Sequence, residues 1–202
     1  LAVVFNASRY GIGLTPVQLN NHRTYFGSYD YGDSFVNNSV ETLFDENKIK
    51  AMAANNQNLQ LIMALNKIPF KLNMEELQEL KNGHCKRTRD LAGEIAKNLP
   101  ASLRAEVNLK NLKDAAMLHD FGKVLIPQEV LNKPAALNEK EAEIMDLHSV
   151  LGYELLKNSG VNKEVLNLIK YHHNFNDRPY FDINYDVLNI ADKYCALTEK
   201  RV

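Results

Sequence analysis

From about residue 73 onward, apolar positions in this 202-residue chain recur every three or four residues, the spacing that gathers side chains on one helix face. Leu77, Leu80, His84, Thr88, Leu91, Ile95 and Leu99 keep that step and predict one long helix, ended by Pro100. Further helices are predicted over 109–121, 127–132 (opened by Pro127), 138–157, 161–173 and from 184 to the end. Asn138 followed three residues later by Glu141 is a loose capping box for the third of these. No stretch in this half alternates with period two, so no strand is expected and the fold class is all-α.

Residues 1–72 differ in texture. Stretches such as "NNHRTYFGSYDYGDSFVNN" are rich in Asn, Tyr and Gly and predict turns and loops, with one helix over 48–66 before Pro69. The expected division is therefore a loop-rich accessory region at 1–72, a sensor or cap, and a helical domain at 73–202. Tyr25, Phe26, Tyr29, Tyr31 and Phe35 have the rings to stack a base, but in a loop-rich segment they read as local packing; His22 stays unassigned. The chain opens without Met and stops at "TEKRV" inside a helical pattern, which reads as a fragment cut short at its C-terminus.

Composition narrows the function classes. A formal net charge of -1 excludes the broad positive field of a duplex nucleic-acid binder. Two cysteines, Cys85 and Cys195, make no disulfide framework and fit a reduced compartment. No apolar run approaches the roughly 18 residues of a membrane span, so a membrane tether would lie outside this chain. A homodimer is compatible with all of this and dictated by none of it.

The candidate chemistry sits in the helical half. His84 and His148 lie in apolar helix stripes, His119 and Asp120 stand side by side in "AAMLHDFGKVLIP", His172 and His173 are adjacent, and Asp192 shares a face with Leu188 and Cys195. A lone inward histidine is more often a hydrogen-bonded core residue than a ligand. Burying four or more imidazoles with two carboxylates and no shared partner would be costly, whereas a divalent cation satisfies them together. Imidazole plus carboxylate without clustered thiolates suits iron, manganese, zinc or nickel. The candidates outnumber the needs of one ion, so two ions sharing Asp120 are the natural count, a standard device for displacement at phosphorus. The two cysteines read as packing.

The order His84, His119-Asp120, His148, His172-His173, Asp192 resembles the HD superfamily of metal-dependent phosphohydrolases, and most fully its HD-GYP branch of bacterial cyclic-dinucleotide phosphodiesterases. The words that carry the resemblance are "HCKRTRDLA" (84–92), "HDFGKVLIPQEVLNKPAALNEKE" (119–141), "HSVLGYELL" (148–156), "HH" (172–173) and "IADKYCALTEKR" (190–201). It implies an HD-domain helical bundle and a cytoplasmic signalling enzyme. His84, His119, Asp120 and Asp192 would hold one ion, iron ahead of manganese, nickel or zinc. Asp120 would bridge to a second ion on His148, His172 and His173, Lys123 would contact the scissile phosphate, and a hydroxide bridging the ions would open cyclic di-GMP or a GMP–AMP hybrid ring.

Two departures qualify that resemblance. The family's E-x-x-D-G-x-G-Y-P segment is replaced by "HHNFNDRPYFDINYDVL", where Asn174 stands for Glu, Asp177 aligns with the Asp, and Arg178 offers a substitute substrate contact. A Glu that some relatives place four residues before the first His, for a third ion, is Leu80 here, so two ions are expected. The rewritten segment leaves open an HD phosphohydrolase acting on another nucleotide or phosphate ester. A catalytically inactive metal- and nucleotide-binding module also stays open.

Overall fold

The computed structural model describes residues 40–174 and 177–198, and every element among them is helical. In chain order the helices are α1 (Glu46–Ala54), α2 (Gln57–Leu65), α3 (Met74–Asn82), α4 (His84–Asn98), α5 (Ala101–Arg104), α6 (Leu109–Leu118), α7 (Gln128–Leu131), α8 (Glu139–Asp146), α9 (His148–Leu156), α10 (Lys163–Tyr171) and α11 (Ile183–Thr198). Two 3-10 segments, Val40–Leu43 and Phe121–Leu125, complete the set. The aromatic cluster at Tyr25–Phe35 and His22 lie outside the described residues. None of the described helices is long and apolar enough to cross a membrane.

Asparagine supplies most of the side-chain caps. Asn56, Asn73, Asn108, Asn138 and Asn162 each accept a backbone N–H of the first turn through their side-chain oxygen, as does Asp45 for α1. At α8 the expected capping box forms in both directions: Asn138 Oδ1 accepts the Glu141 N–H at 3.0 Å and Glu141 Oε2 accepts the Asn138 N–H at 2.8 Å.

Three helices expected as continuous are each two. The 48–66 segment breaks at Asn55-Asn56, because Asn56 turns its side chain onto the Leu59 N–H and restarts the ladder as a cap. The 73–99 stripe breaks at Gly83, whose position leaves no room for a Cβ beside the Glu79 side chain and carbonyl. The 138–157 segment divides at Leu147, which belongs to neither helix. In each case the three-to-four spacing runs through the break, since both halves face the same core, so periodicity alone hides the corner.

α6 is the central element. Leu112, Ala115, Ala116, Met117 and Leu118 are all buried, and the two alanines let α4, α10 and α11 close around it. α9 packs on α10 and on the 3-10 segment 121–125. There Gly122 meets the backbone of His148 and Gly152: a Cβ on Gly122 would overlap the His148 carbonyl oxygen and sit 2.5 Å from Gly152 N. Residues 46–65, set apart from 73–202 on texture, share this core. Ile49, Leu59 and Met63 are buried, α1 and α2 pack against α9, and Phe44 meets Phe121 edge to face with centroids 5.1 Å apart.

Candidate metal centre

His119 and Asp120 leave the end of α6, His84 opens α4, His148 opens α9, His172 and His173 follow α10, and Asp192 sits mid-way along α11. The bundle brings all seven together. His84, His119, Asp120 and Asp192 each offer a ligand atom within 4.8 Å of the others, and so do Asp120, His148, His172 and His173. Asp120 belongs to both groups, and its two oxygens divide between them. Oδ2 lies 3.5 Å from His84 Nε2 and 3.4 Å from His119 Nε2, while Oδ1 lies 3.2 Å from His148 Nε2 and 3.9 Å from His172 Nε2.

Three imidazoles are oriented by one local device. Nδ1 of His119, His148 and His172 points at the carbonyl three residues back, on Ala116 (2.9 Å), Met145 (2.6 Å) and Ile169 (2.7 Å). A carbonyl only accepts, so each Nδ1 carries a proton and each Nε2 faces the centre, where it could take a cation. Asn189 tightens the set from α11 by donating to the His172 carbonyl at 3.0 Å. Cys85, fully buried, lies behind His119 with Sγ 4.0 Å from Nδ1, and burial holds its thiol pKa up. His173 is exposed and forms the open wall, its ring 4.0 Å from that of His172.

This donor set fits a cation on its own electrostatics. In the second group the Nε2 atoms of His148 and His172 face each other at 3.3 Å, two inward lone pairs with no proton between them in the neutral rings. In the first, His119 Nε2 is buried without a hydrogen-bond partner, aimed between Asp120 Oδ2 and Asp192 Oδ1 at 3.4 and 3.5 Å. Facing lone pairs and converging carboxylates call for positive charge at their centre.

Without a cation, protons and Lys123 supply part of that charge. Burial pushes His119 down, but the neighbouring Asp120 and Asp192 carboxylates outweigh it and hold its pKa well above the ordinary histidine value. Burial likewise opposes ionisation of Asp120, yet His119 and Lys123 keep its pKa well below the carboxylate range; the neighbouring imidazoles of His119 and His84 do the same for Asp192. His172 is pushed down, by burial first and then by His119, His148 and His173. The Lys123 ammonium pairs with Asp120 Oδ2 at 2.7 Å.

A cation entering the first group must displace the His119 proton. Because that pKa is raised, affinity for Mn(II) is expected to climb as pH rises through neutrality, with net proton release on binding at pH 7. Calorimetry in two buffers of different ionisation enthalpy measures this; zero release at pH 7 would contradict the assignment.

Arg178 is engaged at α11. Its guanidinium pairs with Asp186 on α11 at 3.2 Å and lies over the Tyr185 ring at 5.2 Å, with little side-chain exposure. The residues that sequence reasoning passed over are the three carbonyl acceptors at i−3, on Ala116, Met145 and Ile169, together with Asn189 and Gly152. The i−3 spacing was available in the sequence for every histidine, but only a helix end turned toward a common centre makes it informative.

A family model of the HD domain matches residues 83–197. The chain is 32% identical over 126 residues to a cyclic di-GMP phosphodiesterase response regulator of Xanthomonas campestris pv. campestris, covering 57% of this chain and 32% of that protein. It is 30% identical over 131 residues to a cyclic di-GMP phosphodiesterase of Thermotoga maritima, covering 58% and 34%. Over 55 residues it is 44% identical to a 3'3'-cGAMP-specific phosphodiesterase of Vibrio cholerae serotype O1, covering 27% and 10%. The chain thus spans about a third of the length of the first two relatives. All seven histidine and aspartate residues of the centre fall within the matched segment, and the chain belongs to the HD domain family.

Proposed function

We propose that this chain carries the catalytic unit of a metal-dependent phosphodiesterase that opens a cyclic dinucleotide, cyclic di-GMP or a GMP–AMP hybrid, in the cytoplasm. The observation that carries the reading is the split of the Asp120 carboxylate between two imidazole groups, which builds one centre with room for two cations. His84, His119, Asp120 and Asp192 hold the first, and Asp120, His148, His172 and His173 the second. The donor set suits iron, manganese, nickel or zinc, and the resemblance to cyclic-dinucleotide phosphodiesterases puts iron first. When bound, a divalent pair lowers the pKa of water toward neutrality and offsets charge at phosphorus.

The chain's own residues do the rest. Asp120 and Asp192 set the anionic charge that fixes cation number, the Nδ1–carbonyl bonds hold the rings in register, and Lys123 presents an ammonium to a non-bridging phosphate oxygen. Arg178, paired with Asp186, offers the substitute substrate contact. The similarity to named cyclic di-GMP and 3'3'-cGAMP phosphodiesterases supports the choice of substrate class. The rewritten 174–182 segment supports a second reading, hydrolysis of another phosphate ester by the same centre.

A product assay decides. Protein reconstituted anaerobically with Fe(II), or with Mn(II), is expected to convert cyclic di-GMP or the hybrid ring to linear dinucleotide or mononucleotide. Both rings intact, with a simple diester cleaved, would favour the second reading. Bound metal with no turnover of any diester would leave a binding module.

A further inference from the structure

His172 and His173 stand just past the last residue of α10, where a helix leaves its final carbonyls without partners of their own. The His172 carbonyl finds its partner outside the helix. Asn189, on α11, donates its side-chain N–H to that oxygen at 3.0 Å, and both residues are buried. The bond joins elements that otherwise share little: α10 packs mainly on α6 and α9, and only lightly on α11. Asp192 follows Asn189 three residues on, so the amide and the carboxylate leave α11 on the same face.

A single turn of α11 thus touches both ligand groups. Asp192 turns its carboxylate to His84 Nε2 at 3.1 Å and His119 Nε2 at 3.5 Å, in the first group. Asn189 takes hold of the second group through its backbone. The His172 imidazole is already fixed to its own helix, with Nδ1 donating to the Ile169 carbonyl at 2.7 Å. That bond orients the ring within α10 but does not set where the end of α10 stands relative to α11. The Asn189 bond supplies that second constraint. Because a peptide unit is planar, holding the His172 carbonyl also orients the N–H of His173 across the same plane. One amide therefore steadies two adjacent ligands. His173 gains most from it, being exposed with the rings of His148 and His172 as neighbours.

We propose that Asn189 is a positioning residue for the second cation: it holds the His172-His173 turn against the helix that carries Asp192, and so ties the two groups together by a route that does not pass through Asp120. The proposal rests on the two-cation reading of the centre and on no particular substrate. It predicts an asymmetry. Loss of the amide should loosen the second group and spare the first, since Asp192 keeps its own contacts with His84 and His119.

Asn189→Leu keeps the size and branching of the side chain and removes the donor. In metal-free protein, amide hydrogen exchange reads the tie directly. The Asn174 N–H, which donates to the Tyr171 carbonyl at 3.1 Å in this turn, is expected to exchange about tenfold faster, with the amides in the middle of α10 little changed. Mn(II) calorimetry reads the role. The ion that is lost in His148→Ala is expected to bind about tenfold more weakly in Asn189→Leu, and the other within about twofold of the unmodified protein. Asn189→Leu placed on His148→Ala should then change nothing further. Equal weakening of both ions, or a loss that persists in the His148→Ala background, would mean that Asn189 only supports α11, which overturns the proposal. An unchanged exchange rate at Asn174 overturns it as well. If Asn189→Leu does not fold, Asn189→Ala removes the same donor without added bulk and is read by the same outcomes. An unmodified protein that takes up a single ion would bring down the two-cation reading and this role with it, while exchange at Asn174 would still tell whether the tie exists.

Discussion

Asp120→Asn is expected to empty both halves of the centre at once. Asparagine keeps the shape and one carbonyl oxygen but loses the charge, and it cannot offer an anionic oxygen to each group. Asp120 Oδ2 and Oδ1 are split between His84 with His119 and His148 with His172, so neither group is spared. Losing the cations forfeits about 4 kcal/mol or more of transition-state charge stabilisation, or roughly a thousandfold in kcat/KM. Metal content by mass spectrometry should fall for both ions together. The variant should still fold, since His119 sheds its proton and Lys123, a quarter exposed, turns to solvent. Retention of one full equivalent of metal would defeat the bridging assignment, and two would defeat the assignment of Asp120 altogether.

Gly122→Ala is expected to be the most damaging change at a residue that offers no ligand. Its Cβ would overlap the His148 carbonyl oxygen and crowd Gly152 N, and both are backbone, so no side chain can turn away. Overpacking of this kind costs about 1–3 kcal/mol, and relief requires the 121–125 segment to move off α9. That motion pulls Asp120 from His148, now 3.2 Å apart, and opens the second group before the first. A misplacement of about 1 Å at a reacting centre is worth around a hundredfold in rate. Weakened binding of one ion, with the other kept, is the expected signature. Gly160→Ala is the control: Gly160 has φ of 84°, no neighbour within 4 Å of a Cβ, and lies past the end of α9. It should lose about 1 kcal/mol of stability with metal binding unchanged. If Gly122→Ala behaves like Gly160→Ala, the close approach has no part in spacing the centre.

The sequence by itself determined the helical class, the inward histidines and their order. Each of these is a local property: period, cap and neighbour in the chain decide whether a side chain faces the core. Asn138 and Glu141 announce their capping box at three residues' distance, and it forms. The same local reading could not see the corners at Asn56, Gly83 and Leu147, because a hydrophobic stripe is continuous wherever two short helices face one core. It could not place Arg178 either, since Asp186 and Tyr185 compete for that guanidinium only after α11 is docked. Nor could it show that residues 46–65 belong to the same core, their partners on α9 lying some hundred positions along the chain, as in the Asn56 side chain that donates to the Glu154 carbonyl. What the tertiary structure alone decided is the division of one carboxylate between two sets of imidazoles. Beside it, two glycine backbones, Gly122 and Gly152, approach closely from different elements. A distance of a few ångströms between such elements is set by packing, and no spacing along the chain encodes it.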